Sequence, residues 1–167
     1  SFAVNGEFTY ANNFANASMQ AMALDNQENI LLLGGVATSI LDKEVVVLKL
    51  DSQGQLVKSF ANNGKLKLNS VTDEFFGKAL TVDPENNAML ITGFDLMDPK
   101  AQVRAYDSQG NPAGYFGENG IASSNNTLPD PDDLLGIWLD TRTNSLFVTG
   151  TTDTTSDPRM FLMKLIN

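Results

Sequence analysis

A five-residue phrase, Phe-x-x-Asn-Gly, occurs three times in this chain of 167 residues. It stands at Phe2–Gly6, Phe60–Gly64 and Phe116–Gly120, so the copies begin 58 and 56 residues apart. A second phrase keeps the same step: Asp51-Ser52-Gln53-Gly54 returns as Asp107-Ser108-Gln109-Gly110. A third lies between them. Ala23-Leu24-Asp25 precedes the run Ile30–Gly35, Thr81-Val82-Asp83 precedes Ala88–Gly93, and Trp138-Leu139-Asp140 precedes Ser145–Gly150. Self-similarity at a fixed period constrains a fold strongly, because each copy is one unit that buries its apolar face on its neighbour.

Each unit reads as four short strands. Strand A ends at Asp25, Asp83 or Asp140, and strand B is the apolar run closing on Gly35, Gly93 or Gly150. Strand C covers Val45–Leu50, Gln102–Tyr106 and Met160–Ile166. Strand D follows each Asn-Gly, at Glu7–Tyr10, Lys65–Leu68 and Ile121–Ser124. The runs are too short for helices and are bounded by Asn, Asp and Gly. Asn-Gly supplies the positive φ of a tight turn into a strand. Only Ala11–Met22 has helix-like content, and its three Asn make Ala11–Gln20 read as loop. Aligned positions Ala21, Ala79 and Gly136 are all small, as an innermost strand A requires. In strand B the alignment puts Leu31, Met89 and Leu146 on one side and Leu32, Leu90 and Phe147 on the other.

Four-stranded units of about 57 residues predict an all-β fold of β-propeller blades. Asp-Ser-Gln-Gly, then Phe-x-x-x-Gly, a strand, Ala-x-x-x-Asp and an apolar strand closing on Gly resemble the bacterial delta-sixty β-propeller repeat. Phe116-Gly117-Glu118-Asn119-Gly120 carries the closest likeness, and the resemblance extends over essentially the whole chain. The chain departs from it at the A–B turn, where Asn26–Asn29 and Thr141–Asn144 lack the family's glycine. The resemblance implies a propeller in secreted or surface proteins, with no defined activity and no catalytic residues.

The strand order is D, A-B-C-D, A-B-C-D, A-B-C. It divides the single segment 1–167 into blades at about 11–68, 69–124 and 125–167, the last completed by the strand at 7–10. Rings hold about 4–8 blades. Three are therefore half of a six-bladed ring, and a second copy donating Glu7–Tyr10 closes a homodimer. The alternative is an excised part of a longer propeller, completed by another segment; opening on Ser1 rather than Met favours that alternative.

Composition bounds the chemistry. The chain has no His and no Cys, which excludes imidazole and thiolate metal ligands, Ser-His-Asp triads and disulfides. Its net charge of −9 argues against nucleic acid and anionic membranes as partners. No apolar run approaches the ~20 residues of a membrane helix. The A–B and C–D turns open on one face of a propeller, the B–C and D–A loops on the other. The second face collects most of the net charge. Asp42, Glu44, Asp73, Glu74, Asp95, Asp98, Asp130, Asp132, Asp133, Asp153 and Asp157 stand there against Lys43, Lys78, Lys100 and Arg159. Asp73, Glu74, Asp95, Asp98, Asp130, Asp132 and Asp133 are the candidate ligand-facing loop acids, suited to a basic protein partner or a cation. Pro129–Asp133 lacks the spacing of an EF-hand loop, so no metal and no cofactor is assigned. Trp138, the sole Trp, sits on an inner strand and is expected in the core. The leading expectation is a secreted or periplasmic, non-catalytic binding or scaffolding module. Its rival is a glycan-acting enzyme working through a pair of these carboxylates.

Overall fold

The computed structural model describes residues 2–10, 16–37, 43–70, 75–95, 101–123, 131–152 and 159–166, with backbone alone at 16, 43, 131–133, 152 and 166. Among the described residues, eleven strands form three antiparallel meanders. The first sheet holds β1 (Asn16–Leu24), β2 (Ile30–Ala37), β3 (Lys43–Leu50) and β4 (Lys65–Lys67). The second holds β5 (Phe75–Asp83), β6 (Ala88–Asp95), β7 (Ala101–Tyr106) and β8 (Ile121–Ser123). The third holds β9 (Pro131–Asp140), β10 (Ser145–Thr152) and β11 (Arg159–Ile166). The described residues contain no helix, and the all-β expectation holds. The loop expected over Ala11–Gln20 is corrected from Asn16 onward, where pairing of Asn16–Met19 with Gly34–Ala37 overrides the weak strand preference of Asn. Residues 11–15 lie outside the described residues.

The repeated aspartates build turns. Asp25 Oδ1 accepts the backbone N–H of Gln27 and of Asn29, both at 2.9 Å. Asp51 does the same with Gln53 and Gln55, and Asp107 with Gln109 and Asn111. These are Asx turns, in which a short carboxylate stands in for a backbone acceptor. The Phe-x-x-Asn-Gly phrase also folds one way three times. Its second, fourth and fifth residues have positive φ in every copy: Ala3, Asn5 and Gly6; Ala61, Asn63 and Gly64; Gly117, Asn119 and Gly120. The final Gly N–H donates to the Phe carbonyl at 3.0, 2.8 and 3.0 Å. Gly and Asn tolerate this left-handed backbone best, which accounts for the fixed Asn-Gly.

The first strand of each sheet bulges at a matching place. Gln20, Lys78 and Leu135 are the extra residues, where the register steps from Met19 to Ala21, from Gly77 to Ala79 and from Leu134 to Gly136. Ala21, Ala79 and Gly136 thus follow the bulge directly. A glycine faces the residue before it: Gly34 pairs with Met19, Gly93 with Gly77 and Gly150 with Leu134. A Cβ on Gly34 would meet the Ser18 carbonyl oxygen, and one on Gly93 that of Phe76. Close backbone approach therefore requires glycine here.

The counterpart of Gly93 and Gly150 is Gly34, not the Gly35 expected from the sequence. Leu24 pairs with Ile30, whereas Val82 pairs with Met89 and Leu139 with Leu146, so the first A–B connection is one residue shorter. A one-residue slip turns every side chain over. Leu31 consequently shares its face with Leu90 and Phe147, and Leu32 shares its face with Met89 and Leu146. This corrects the sequence alignment of strand B.

The sheets stack head to tail. The forward face of the first sheet (Leu31, Leu33, Val45, Val47) packs on Phe75, Leu80, Met89 and Ile91 on the rear face of the second. The forward face of the second (Leu90, Ala101, Val103, Ala105) packs on Leu134, Leu146 and Val148 of the third. β1 lies against β5, and β5 against β9. The rear face of the first sheet, with Leu32, Val36, Val46 and Leu48, is covered by Phe8 and Tyr10. Glu7–Tyr10, expected as a strand, joins none of the described sheets, and its Phe8 and Tyr10 pack on that face.

Candidate interaction faces

Only one of the seven candidate loop acids has a described side chain. Asp73, Glu74, Asp98 and Asp130 lie outside the described residues. Asp132 and Asp133 are placed by backbone alone, in β9 rather than in a loop. Asp95 is the last residue of β6, buried, with its carboxylate 3.4 Å from Arg104. The structure therefore puts Asp95 in a strand-end ion pair instead of a solvent-facing loop. Arg104 Nε and Nη2 donate to Gln102 Oε1, Nη1 reaches the Leu68 carbonyl at 3.4 Å, and its guanidinium lies 3.9 Å over the Phe75 ring. Sequence reasoning passed over Arg104; the one Arg inside the apolar run Ala101–Tyr106 was the available signal.

Other acids are also held. Asp25 and Lys49 form a buried pair at 2.7 Å, and Lys49 Nζ donates to the Ser108 carbonyl in the turn after β7. Burial pushes the Asp25 carboxyl up, but the Lys49 ammonium and hydrogen bonds from Asn29 and Gln27 outweigh it and hold it below its ordinary value. The Glu44 carboxyl is lowered first by Lys65, against burial, and then by Lys67, which grip it at 3.0 and 3.1 Å. Burial likewise raises the Asp107 carboxyl, and the Asn111 side chain and turn N–H groups more than reverse it without any cation. Beside Glu44 the bulge opens a cleft of about 350 Å³ between the first two sheets, with Ser18, Gln20 and Lys78 among its polar lining. Among the described residues no cluster of three or more His, Cys, Asp or Glu is arranged to hold a metal. No described helix is long and apolar enough to cross a membrane.

The third sheet presents the contrast. Strand pairing makes Val45 and Val47, Ala101 and Val103, and Met160 and Leu162 equivalent forward-face positions. The first four are at most 5% exposed; Met160 is 90% and Leu162 66% exposed. Trp138, expected in the core, is 58% exposed on the same face and tilts against Phe147 at 5.6 Å. Gly136, Ile137, Trp138, Phe147, Thr149 and Leu162 line an apolar groove of about 460 Å³ there. At the opposite end of the stack, Met22 and Leu24 are 69% and 60% exposed on the rear face of the first sheet.

One contact recurs between units. The Ala61 N–H donates to the Gln109 carbonyl at 2.9 Å, latching the first unit's Phe-x-x-Asn-Gly turn onto the second unit's Asp-Ser-Gln-Gly turn. The Ala3 N–H donates to the Gln53 carbonyl in the same way. The N-terminal turn thus sits on the first sheet as a preceding unit would.

No family model, no curated protein and no solved structure matches this chain.

Proposed function

We propose that the chain is a β-propeller segment of the delta-sixty type, working as a non-catalytic binding or scaffolding module in a secreted or periplasmic setting. The observation that carries this reading is the joint between successive sheets, made twice in the same sense, with β1, β5 and β9 side by side. Stacked four-stranded units converging on their first strands are the architecture of propeller blades. The described aspartates of the repeat support a non-catalytic role, because Asp25, Asp51 and Asp107 spend their carboxylates on turn N–H groups. Recognition falls to the acidic residues of the loops and of the start of β9, and the ligand class is a basic protein surface or a cation.

The test is an array of extracellular proteins and glycans read for both binding and turnover. A chain carrying Asp73→Asn, Glu74→Gln, Asp132→Asn and Asp133→Asn together should lose its ligand, and the native complex should weaken as salt rises. Hydrolysis of any glycan, abolished by those same changes, would overturn the reading.

A further inference from the structure

Three surfaces on this chain are complementary halves of contacts that the chain also makes internally. The first is the forward face of the third sheet, whose equivalents in the other two sheets are buried. The second is the outer edge of β11. β3 pairs there with β4 and β7 with β8, whereas β11 pairs, among the described residues, with β10 alone. The third is the N-terminal segment with the rear face of the first sheet. Glu7–Tyr10 follows an Asn-Gly turn as β4 and β8 do, its turn is latched at Gln53 as the turn before β4 is latched at Gln109, and among the described residues it joins no strand C. Phe8 covers the first sheet from behind just as Leu66 packs toward the second and Ala122 toward the third.

The internal pairings fix a register. β4 sets Lys65, Leu66 and Lys67 opposite Leu48, Val47 and Val46. β8 sets Ile121, Ala122 and Ser123 opposite Arg104, Val103 and Gln102. The matching residues of β11 are Met163, Leu162 and Phe161, and those of the N-terminal segment are Glu7, Phe8 and Thr9. We infer that the third sheet receives the first sheet of a second copy, whose Glu7, Phe8 and Thr9 pair antiparallel with Met163, Leu162 and Phe161. Each copy gives one such joint and receives one, and two copies of three units make six, a blade number at which a ring closes, here with two-fold symmetry. The contact buries Trp138, Met160 and Leu162 against the second copy's Met22 and Leu24. It also caps an open strand edge, a feature that otherwise invites uncontrolled pairing. A second copy is the occupant because it carries the rear face and the pre-latched strand that the forward face and free edge require.

The inference rests on the propeller reading, and the experiment separates the two. The native chain at micromolar concentration should show twice the 18.1 kDa mass by light scattering. The chain has no cysteine, so Phe8→Cys and Leu162→Cys place single thiols. Oxidising a mixture of the two variants should link one to the other. Leu162→Arg should give a monomer whose far-ultraviolet dichroism is unchanged. A native monomer, a dimer that does not cross-link, or a dimer untouched by Leu162→Arg would each overturn the inference. If that monomer keeps nuclear Overhauser contacts between β1 and β5 and between β5 and β9, the propeller reading survives alone. If it lacks them, both fall.

Discussion

The two joints inside the chain share a backbone geometry and little side-chain chemistry. Between the first and second sheets, Lys49 crosses to the Ser108 carbonyl, Arg104 lies on Phe75 and reaches the Leu68 carbonyl, and Asn26 bonds to Asn87 and Pro84. Between the second and third, Leu90, Ala101, Val103 and Ala105 meet Leu134, Leu146 and Val148. The first joint is pinned by buried charges that must keep their partners. The second depends on volume and fit. The units share their bulges and turns, while the filling differs from joint to joint.

Four measurements bear on this contrast, the largest effect first. Arg104→Ala strips the first joint of its stacked guanidinium and leaves Asp95 without that charge. Breaking a buried pair costs about 3–5 kcal/mol, read as a drop in the urea midpoint. Leu134, 0% exposed, anchors the second joint. Leu134→Ala should cost about 2–5 kcal/mol by transfer and cavity terms, and less wherever neighbours relax into the space. Near-equal loss in the first two variants would mean that polar pinning adds nothing over apolar fill. Gly93→Ala drives a methyl toward the Phe76 carbonyl and should cost about 1–3 kcal/mol, the usual range for overpacking. An unchanged melting temperature would show that the bulge does not set the geometry.

The smallest effect is in acid. The folded carboxyl of Asp25 lies below its ordinary 3.8, so the folded chain binds fewer protons than the unfolded one near that pH. Its contribution to stability is whole above the unfolded value and is lost as pH falls through the folded one. Asp25→Asn should therefore flatten the acid limb of the stability curve, followed by urea midpoints from about pH 6 to about pH 2. An acid limb as steep as that of the native chain would remove the Asp25–Lys49 pair from the account of the first joint.

Strand order and most strand bounds were legible because each run is short, apolar and closed by Asn, Asp or Gly. The facing of β2 was not. It turns on whether the connection after Leu24 is one residue shorter than those after Val82 and Leu139, and hydrogen bonds settle that. The small residues Ala21, Ala79 and Gly136 were visible in the sequence, but the bulge just before them leaves no mark of its own. Trp138 misled because its place on an inner strand pointed to the core, whereas exposure depends on whether a further sheet covers its face. The acids were the least legible part. An Asp beside an apolar run reads alike whether it faces solvent or, like Asp95, meets an arginine of the neighbouring strand.

Head-to-tail stacking makes the molecule nearly one-dimensional: a unit's stability is its own plus that of the joints on either side. The second sheet has a joint on both sides, and seven of the eight residues of β6 are buried. The outer sheets have one internal joint each. In a single copy, such as the Leu162→Arg monomer, local opening should therefore begin at the two ends of the array and reach β6 last, so that amide exchange at Met89–Thr92 reports the unfolding of the whole chain.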